Sequence, residues 1–276
     1  MEAIYNAAGF RIGAYAMYLE GFGLKIGAQL YTVRDVCKTI DGLDMAMKKV
    51  AEIGYKYVQL SPWREFGAQK IRELADKYGL EIIVTHYPPQ KLLENPKEAM
   101  EAHKILGTNK IGIGAMPDVY RENRETVLKF INDYRPAIDE ISKNGFKFMY
   151  HNHEFEYEKL DGKLMIDYLL EAFPPEQMGV LLDLFWVQAG GADPAEWIVK
   201  LKGRVETIHF KDYAIVNKQR KTYEVMEGNM NWKAIFEACK QADVEWAFVE
   251  QDDCNGRDVF DCLKTSFNNL SKVGLC

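Results

Sequence analysis

Eight times along this chain a short apolar run is followed by a stretch with helical spacing. The runs fall at 25–29 (KIGAQ), 55–61 (YKYVQLS), 81–86 (EIIVTH), 110–114 (KIGIG), 146–151 (FKFMYH), 179–183 (GVLLD), 205–210 (VETIHF) and 244–250 (VEWAFVE). Between them, apolar residues recur three and four apart, as in Leu43, Met47, Val50 and Ile53, or Val127, Phe130, Ile131, Tyr134, Ile138 and Ile141. Gly54, Gly79, Gly107 and Gly145 stand where helices should stop, and Asp193-Pro194 reads as an N-cap followed by a first helical residue. IIVT, VLLD and WAFV are apolar without alternation, the pattern of parallel strands covered on both faces. Eight strand–helix units at this length predict an α/β fold, a single (β/α)8 TIM barrel. The competing doubly wound open sheet would carry G-x-G-x-x-G after its first strand, and none is present. The expected organisation is an N-terminal extension over 1–24 and one barrel domain over 25–276, with no low-complexity linker.

Composition narrows the partners. With 35 Lys+Arg against 41 Asp+Glu, the formal charge of −6 argues against a surface for nucleic-acid phosphates. No stretch approaches the about 18 consecutive apolar residues of a membrane span. The first residues lack a basic segment followed by an apolar run, so no secretory leader is expected. The cysteines are five, an odd number, with no C-x-x-C pair, which speaks against a disulfide framework or a zinc knuckle and for a reducing cytoplasm.

In a (β/α)8 barrel the chemistry gathers at the C-terminal ends of the strands. The last residues of the eight runs read Gln29, Ser61, His86, Gly114, His151, Asp183, His209 and Glu250, the last polar residue being taken for the seventh. Four of the five histidines (His86, His151, His153 and His209) fall at or just past strand ends, and only His103 lies in a helical segment. Any one of these has an ordinary reading as a capped turn or a satisfied hydrogen bond. Two histidines, one Asp and one Glu converging from strands five to eight instead describe a divalent-metal cage, with His151, Asp183, His209 and Glu250 as ligands. Mixed imidazole and carboxylate donors suit Zn2+, Mn2+, Co2+ or Fe2+ better than Ca2+ or Mg2+. Such an ion polarises a carbonyl and eases proton removal from the adjacent carbon. Lys211, two residues beyond His209, points to the same side and is a candidate donor to a substrate oxygen. Trp186, Phe155 and Tyr157 are candidates to wall off water.

The segments YHNHEFE (150–156), LLDLFWVQAGGADP (181–194), IHFKDY (208–213) and FVEQD (248–252), with the opening KIGAQLYTVRD, resemble the sugar phosphate isomerase/epimerase family of xylose isomerase-like barrels. The resemblance runs from 25 to about 273. In the family's ketose 3-epimerases a divalent metal is held by Glu, Asp, His and Glu from strands five to eight. The last three match Asp183, His209 and Glu250. The first falls six residues after Gly145, on His151, so either His151 ligates or Glu154 or Glu156 from the next turn takes over. One of the paired acid–base glutamates is thereby lost, and a YHNH-like segment is similar to members in which a histidine moves the proton. This makes His153 the candidate partner of Glu250.

The resemblance therefore implies a metal-dependent isomerase or epimerase of a sugar or keto-sugar, working through an enediolate. Glu250, His153 and Lys211 would be catalytic, and Gln29, His86, Glu156 and Trp186 would meet the substrate. The same enediolate can expel a β-oxygen, which makes a lyase or dehydratase of a keto-sugar, keto-inositol or keto-glycoside the first alternative. A non-catalytic sugar-binding barrel and an endonuclease IV-like repair enzyme are more remote, the last opposed by the charge and by the trinuclear site it requires. The expected partners are a small-molecule sugar and, at most, further copies of the chain; neither nucleic acid nor membrane is expected.

Overall fold

The computed structural model describes residues 22–276; the extension expected over 1–24 lies, up to residue 21, outside the described residues. Eight strands close into a barrel: β1 (Lys25–Gln29), β2 (Tyr57–Leu60), β3 (Glu81–His86), β4 (Lys110–Ile113), β5 (Lys147–His151), β6 (Met178–Asp183), β7 (Thr207–Phe210) and β8 (Trp246–Val249). Every neighbouring pair is parallel, and β1 closes the ring against β8 with Ala28 opposite Val249. The eight runs read from the sequence are these strands, with ends that agree or are trimmed by one or two residues, except that β6 begins one residue earlier, at Met178. Glu250, for example, stands one residue past β8, its N–H still donating to Phe210 O at 3.1 Å.

The outer helices bury the stripes their spacing announced. In Arg124–Lys143, Val127, Phe130, Ile131, Tyr134, Ile138 and Ile141 face inward, and Asn123 caps the first turn by accepting from Thr126 N. The helix Pro96–Leu106 ends at Gly107, whose φ of +79° is costly for any side chain. Asp193 caps Pro194–Lys200 by accepting from Glu196 N at 2.9 Å. Among the described residues no helix is long and apolar enough to cross a membrane.

Two antiparallel hairpins were not foreseen: Lys159–Leu160 with Lys163–Leu164, and Asp212–Val216 with Gln219–Tyr223. Their turns, Asp161-Gly162 and Asn217-Lys218, have positive φ at both central residues, the conformation that matches the twist of the flanking strands.

The interior of the barrel is plugged by an apolar layer of Val84, Met149, Leu181 and Phe248. Gly27 makes room for it, because a Cβ there would stand 2.7 Å from the Phe248 ring. This plug is the floor on which the polar groups rest.

Candidate metal and substrate site

Side chains alternate along a strand, so the residue two positions after an inward-facing one faces inward again. The plug residues Val84, Met149, Leu181 and Phe248 are each followed at that interval by His86, His151, Asp183 and Glu250. The sheet therefore lifts a ring of polar groups one layer above an apolar floor, at the C-terminal mouth. His151, Asp183, His209 and Glu250 meet there: one nitrogen or oxygen from each lies within 4.8 Å of the others. All four are buried, Asp183 and His209 completely.

Each imidazole is pinned by its outer nitrogen. His151 Nδ1 donates to Gly114 O at 2.8 Å, and His209 Nε2 donates to Gln59 Oε1 at 2.7 Å. The inner nitrogens then face carboxylates: His209 Nδ1 stands 2.9 Å from Glu250 Oε2 and 3.3 Å from Asp183 Oδ2, and His151 Nε2 stands 3.5 Å from Asp183 Oδ2. A bare nitrogen lone pair facing a carboxylate oxygen is repulsive, and the contact becomes favourable when a proton on the imidazole or a metal cation lies between them. Burial alone would lower the His209 pKa, yet Glu250 and Asp183 raise it to about 9, which expresses the same demand for positive charge. Outer nitrogens held by fixed acceptors and inner nitrogens converging with carboxylates are how histidine metal ligands are oriented. A donor set of two imidazoles and two carboxylates fits a divalent ion of the Zn2+, Mn2+ or Co2+ kind.

Lys211 is 1 % exposed. Its ammonium lies 2.7 Å from Asp252 Oδ2, 3.2 Å from Asp183 Oδ2 and 3.4 Å from Glu250 Oε2. Burial would lower its pKa, but the three carboxylates raise it above the usual lysine range. Conversely, burial would raise Glu250, while Lys211 and then His209 hold it well below the ordinary carboxylate range. Glu250 is thus a carboxylate at neutral pH. Asp183 is further fixed by accepting from Trp186 N at 3.1 Å, and its backbone N–H donates to Asn152 Oδ1 at 2.9 Å.

A cavity of about 610 Å³ opens above the cluster, lined among others by Tyr31, Trp63, His86, His153, Trp186 and Lys211, with Glu250 and Asp252 in its wall. Three of its nitrogens are buried and unpartnered: His86 Nε2, His153 Nδ1 and Trp186 Nε1. The His153 ring lies 4.8 Å from that of His151, and burial, then the neighbouring His151, lowers its pKa to about 3, so it is neutral.

The alternatives for strand five separate in space. Glu154 is exposed. Glu156 is buried but turned away from the cluster: Tyr150 OH donates to its Oε1 at 2.8 Å and His153 N to its Oε2 at 2.7 Å, while burial pushes its pKa up to about 7. His151 is the residue that faces Asp183. Gln29 is fully buried, accepts from Tyr31 N at 3.1 Å and does not line the cavity. Phe155 stacks on His153, while Tyr157 packs edge-on against Trp197; neither lines the cavity. The groups missed from the sequence are Gln59, Asn152 and Asp252. The last stood in view, in the quoted FVEQD, two residues beyond Glu250.

A family model described as xylose isomerase-like TIM barrel matches residues 47–264. A search of curated protein sequences finds no match. Among solved structures, a sugar phosphate isomerase/epimerase from Parabacteroides distasonis ATCC 8503 superposes with a TM-score of 0.75 at 23% identity, over 92% of this chain and 95% of that one. The probable 3-DHS dehydratase AsbF from Bacillus anthracis gives 0.68 at 15%, over 90% and 99%. A D-allulose 3-epimerase from Methylomonas sp. gives 0.67 at 16%, over 91% and 98%. At these identities the structural likeness speaks for the fold, while the family model spans most of the sequence. The chain belongs to the xylose isomerase-like TIM barrels.

Proposed function

We propose that this protein is a divalent-metal-dependent isomerase or epimerase of a sugar or keto-sugar, acting by removal of a proton α to a carbonyl through an enediolate. The observation that carries the reading is the buried cluster of His151, Asp183, His209 and Glu250 at the base of an open cavity. A divalent ion held by these residues supplies Lewis acidity toward the carbonyl and neighbouring hydroxyl oxygens of a substrate.

The side chains divide the remaining work. Glu250, kept ionised by Lys211 and His209, removes the proton. His153, a neutral imidazole with a free Nδ1, handles the proton on the other side of the substrate. Lys211 donates to a substrate oxygen while holding Asp183 and Glu250 in place. His86 and Trp186 offer unpartnered nitrogens to hydroxyl groups, and Trp63, Tyr31 and Tyr87 exclude water. Gln29 and Glu156 act from behind this wall, Gln29 through Tyr31 and Glu156 through the His153 backbone. Reprotonation on the neighbouring carbon isomerises, and on the opposite face of the same carbon epimerises. The two relatives described as isomerase/epimerase and 3-epimerase support the reaction class. All five cysteines are free thiols, which suits a cytoplasmic setting.

One observation favours a second reading, elimination of a β-oxygen from the same enediolate. The cavity of about 610 Å³ falls within the about 300–1,000 Å³ of pockets for drug-sized ligands, more than a single free monosaccharide fills. Room for a leaving group is what a lyase requires, and one relative is described as a probable dehydratase. Incubating metal-loaded protein with keto-sugars and keto-glycosides in D2O separates the two. Deuterium gained at carbon without loss of water or aglycone supports the isomerase. An unsaturated product as the main outcome overturns it.

A further inference from the structure

We infer that the substrate is a glycoside with an aromatic aglycone, its sugar at the metal and its aglycone on an aromatic wall of the same cavity; the inference deepens the metal-dependent reading above and rests on it. The cavity of about 610 Å³ is divided by chemistry. In the closed ring, β1, β2 and β3 form one arc and β5 to β8 another. The turns that follow the first arc line the cavity with Tyr31, Pro62, Trp63, Tyr87, Pro88 and Pro89. The second arc and the residues just past it line it with His151, His153, Lys211, Glu250 and Asp252. Trp186 belongs with these polar groups: its ring lies 5.2 Å from that of His153 and 5.1 Å from the Lys211 ammonium.

The aromatic wall is fixed in advance. His103 stacks on Trp63 with ring centroids 6.0 Å apart and planes at 15°, and Tyr87 meets Trp63 edge-on at 4.6 Å. The Arg34 guanidinium lies over the Tyr31 ring, 4.4 Å from its centroid. Trp63 and Tyr31 nevertheless remain only half-buried. Rings already held in place give a flat apolar group its contacts with little further ordering. Beyond the tips of the rings themselves, the polar groups of this arc are engaged elsewhere. Arg34 donates to Tyr31 O at 3.0 Å and to Asp252 O at 2.8 Å, and Ser61 Oγ pairs with His86 Nδ1 at 3.1 Å. His86 lies at the level of the metal cluster, its ring 4.9 Å from that of His151. The hydroxyls of a second sugar laid on this wall would exchange water for few partners. An aromatic ring has no such groups to desolvate and gains by leaving water.

The test is calorimetric titration of Mn2+-loaded full-length protein with methyl and phenyl glycosides of D-glucose, D-galactose and D-xylose, with phenol, cellobiose and lactose as controls. For at least one sugar the phenyl glycoside should bind about tenfold more tightly than the methyl glycoside, and more tightly than phenol or the disaccharide. Trp63→Leu should bring phenyl and methyl glycosides within about threefold of each other. Circular dichroism checks the fold; should Trp63→Leu not fold, Tyr31→Leu carries the test. No phenyl preference for any sugar, equal binding by phenol or the disaccharide, binding by no member of the panel, or a preference unchanged in the folded variant each overturns the inference. Repeating the titration after chelator treatment separates it from the metal-dependent reading. Metal-dependent binding of methyl glycosides without a phenyl preference overturns the aromatic aglycone and leaves that reading standing. A phenyl preference that is lost in the variant but indifferent to Mn2+ supports the aglycone wall and counts against the metal.

Discussion

His209 on β7 donates through Nε2 to the side-chain oxygen of Gln59 on β2, 2.7 Å away and on the far side of the barrel. The two strands are not neighbours, so the bond spans the mouth rather than following the sheet. It holds the ring with Nδ1 aimed at Asp183 and Glu250. Gln59→Leu removes the acceptor without touching any of the four proposed ligands. Partners of this kind are worth about 10–100-fold in metal affinity. The variant should therefore bind Co2+ or Mn2+ more weakly by that factor while keeping its far-UV spectrum. Wild-type affinity in a folded Gln59→Leu would mean the His209 ring needs no such support.

The three carboxylates around Lys211 make its ammonium a structural cation as well as a chemical one. Removing one partner of a buried ion pair costs about 3–5 kcal/mol, because the charges left behind are not solvated. Lys211→Met leaves Asp183, Glu250 and Asp252 facing one another without it. Its stability to urea at neutral pH should fall by that amount, and added Mn2+ should restore part of the loss. A loss below about 1 kcal/mol, the scale of an exposed pair, would show that the ammonium is dispensable to the cluster.

Much of this was legible beforehand, and what was not has physical causes. Parallel strands covered on both faces need unbroken apolar runs, so VLLD and WAFV announced themselves, and the rule that barrel chemistry sits at strand C-terminal ends then picked out Asp183 and Glu250 as the last residues of their runs. Gln59 was invisible because it sits within YKYVQLS, where an amide looks like any tolerated polar residue. Glu156 was misdirected by the turn that follows β5. The single 3-10 turn Phe155–Tyr157 swings its carboxylate behind the strand, onto Tyr150 and the His153 backbone. Strand alternation cannot foresee a rotation that begins after the strand has ended. The hairpin at Asp161-Gly162 was readable, since Asp-Gly between apolar residues is a strong two-residue turn signal.

Asp212 is one residue past Lys211 and faces the other way. Its carboxylate accepts from the backbone N–H groups of Tyr213, Met226, Gly228 and Met230 and from Trp232 Nε1 at 2.6 Å. One side chain thus gathers the segment that returns from the hairpin to the helix Trp232–Gln241. Asp212→Ala leaves several donors without an acceptor, at about 1–3 kcal/mol for each that stays buried. Hydrogen exchange should rise at 226–230 before it rises in the barrel strands. Uniform protection across both would place the organising contact elsewhere.

His103 is buried beneath Trp63, with Nδ1 donating to Ala99 O at 2.6 Å and Nε2 accepting from Thr85 Oγ1 at 2.8 Å. Both nitrogens are satisfied in the neutral form, and burial lowers the pKa from 6.5 to about 4. Between those values the unfolded chain binds the proton and the folded chain does not. The stability contributed by the neutral ring is therefore complete above pH 6.5 and is lost as pH falls toward 4. A gap of that size corresponds to about 3 kcal/mol. His103→Leu has no proton to take up, so although it forfeits the Thr85 bond and starts less stable at pH 7, its urea midpoint should decline less between pH 6.5 and 4 than that of wild type. Parallel pH profiles for the two proteins would show that His103 does not govern this part of the acid response.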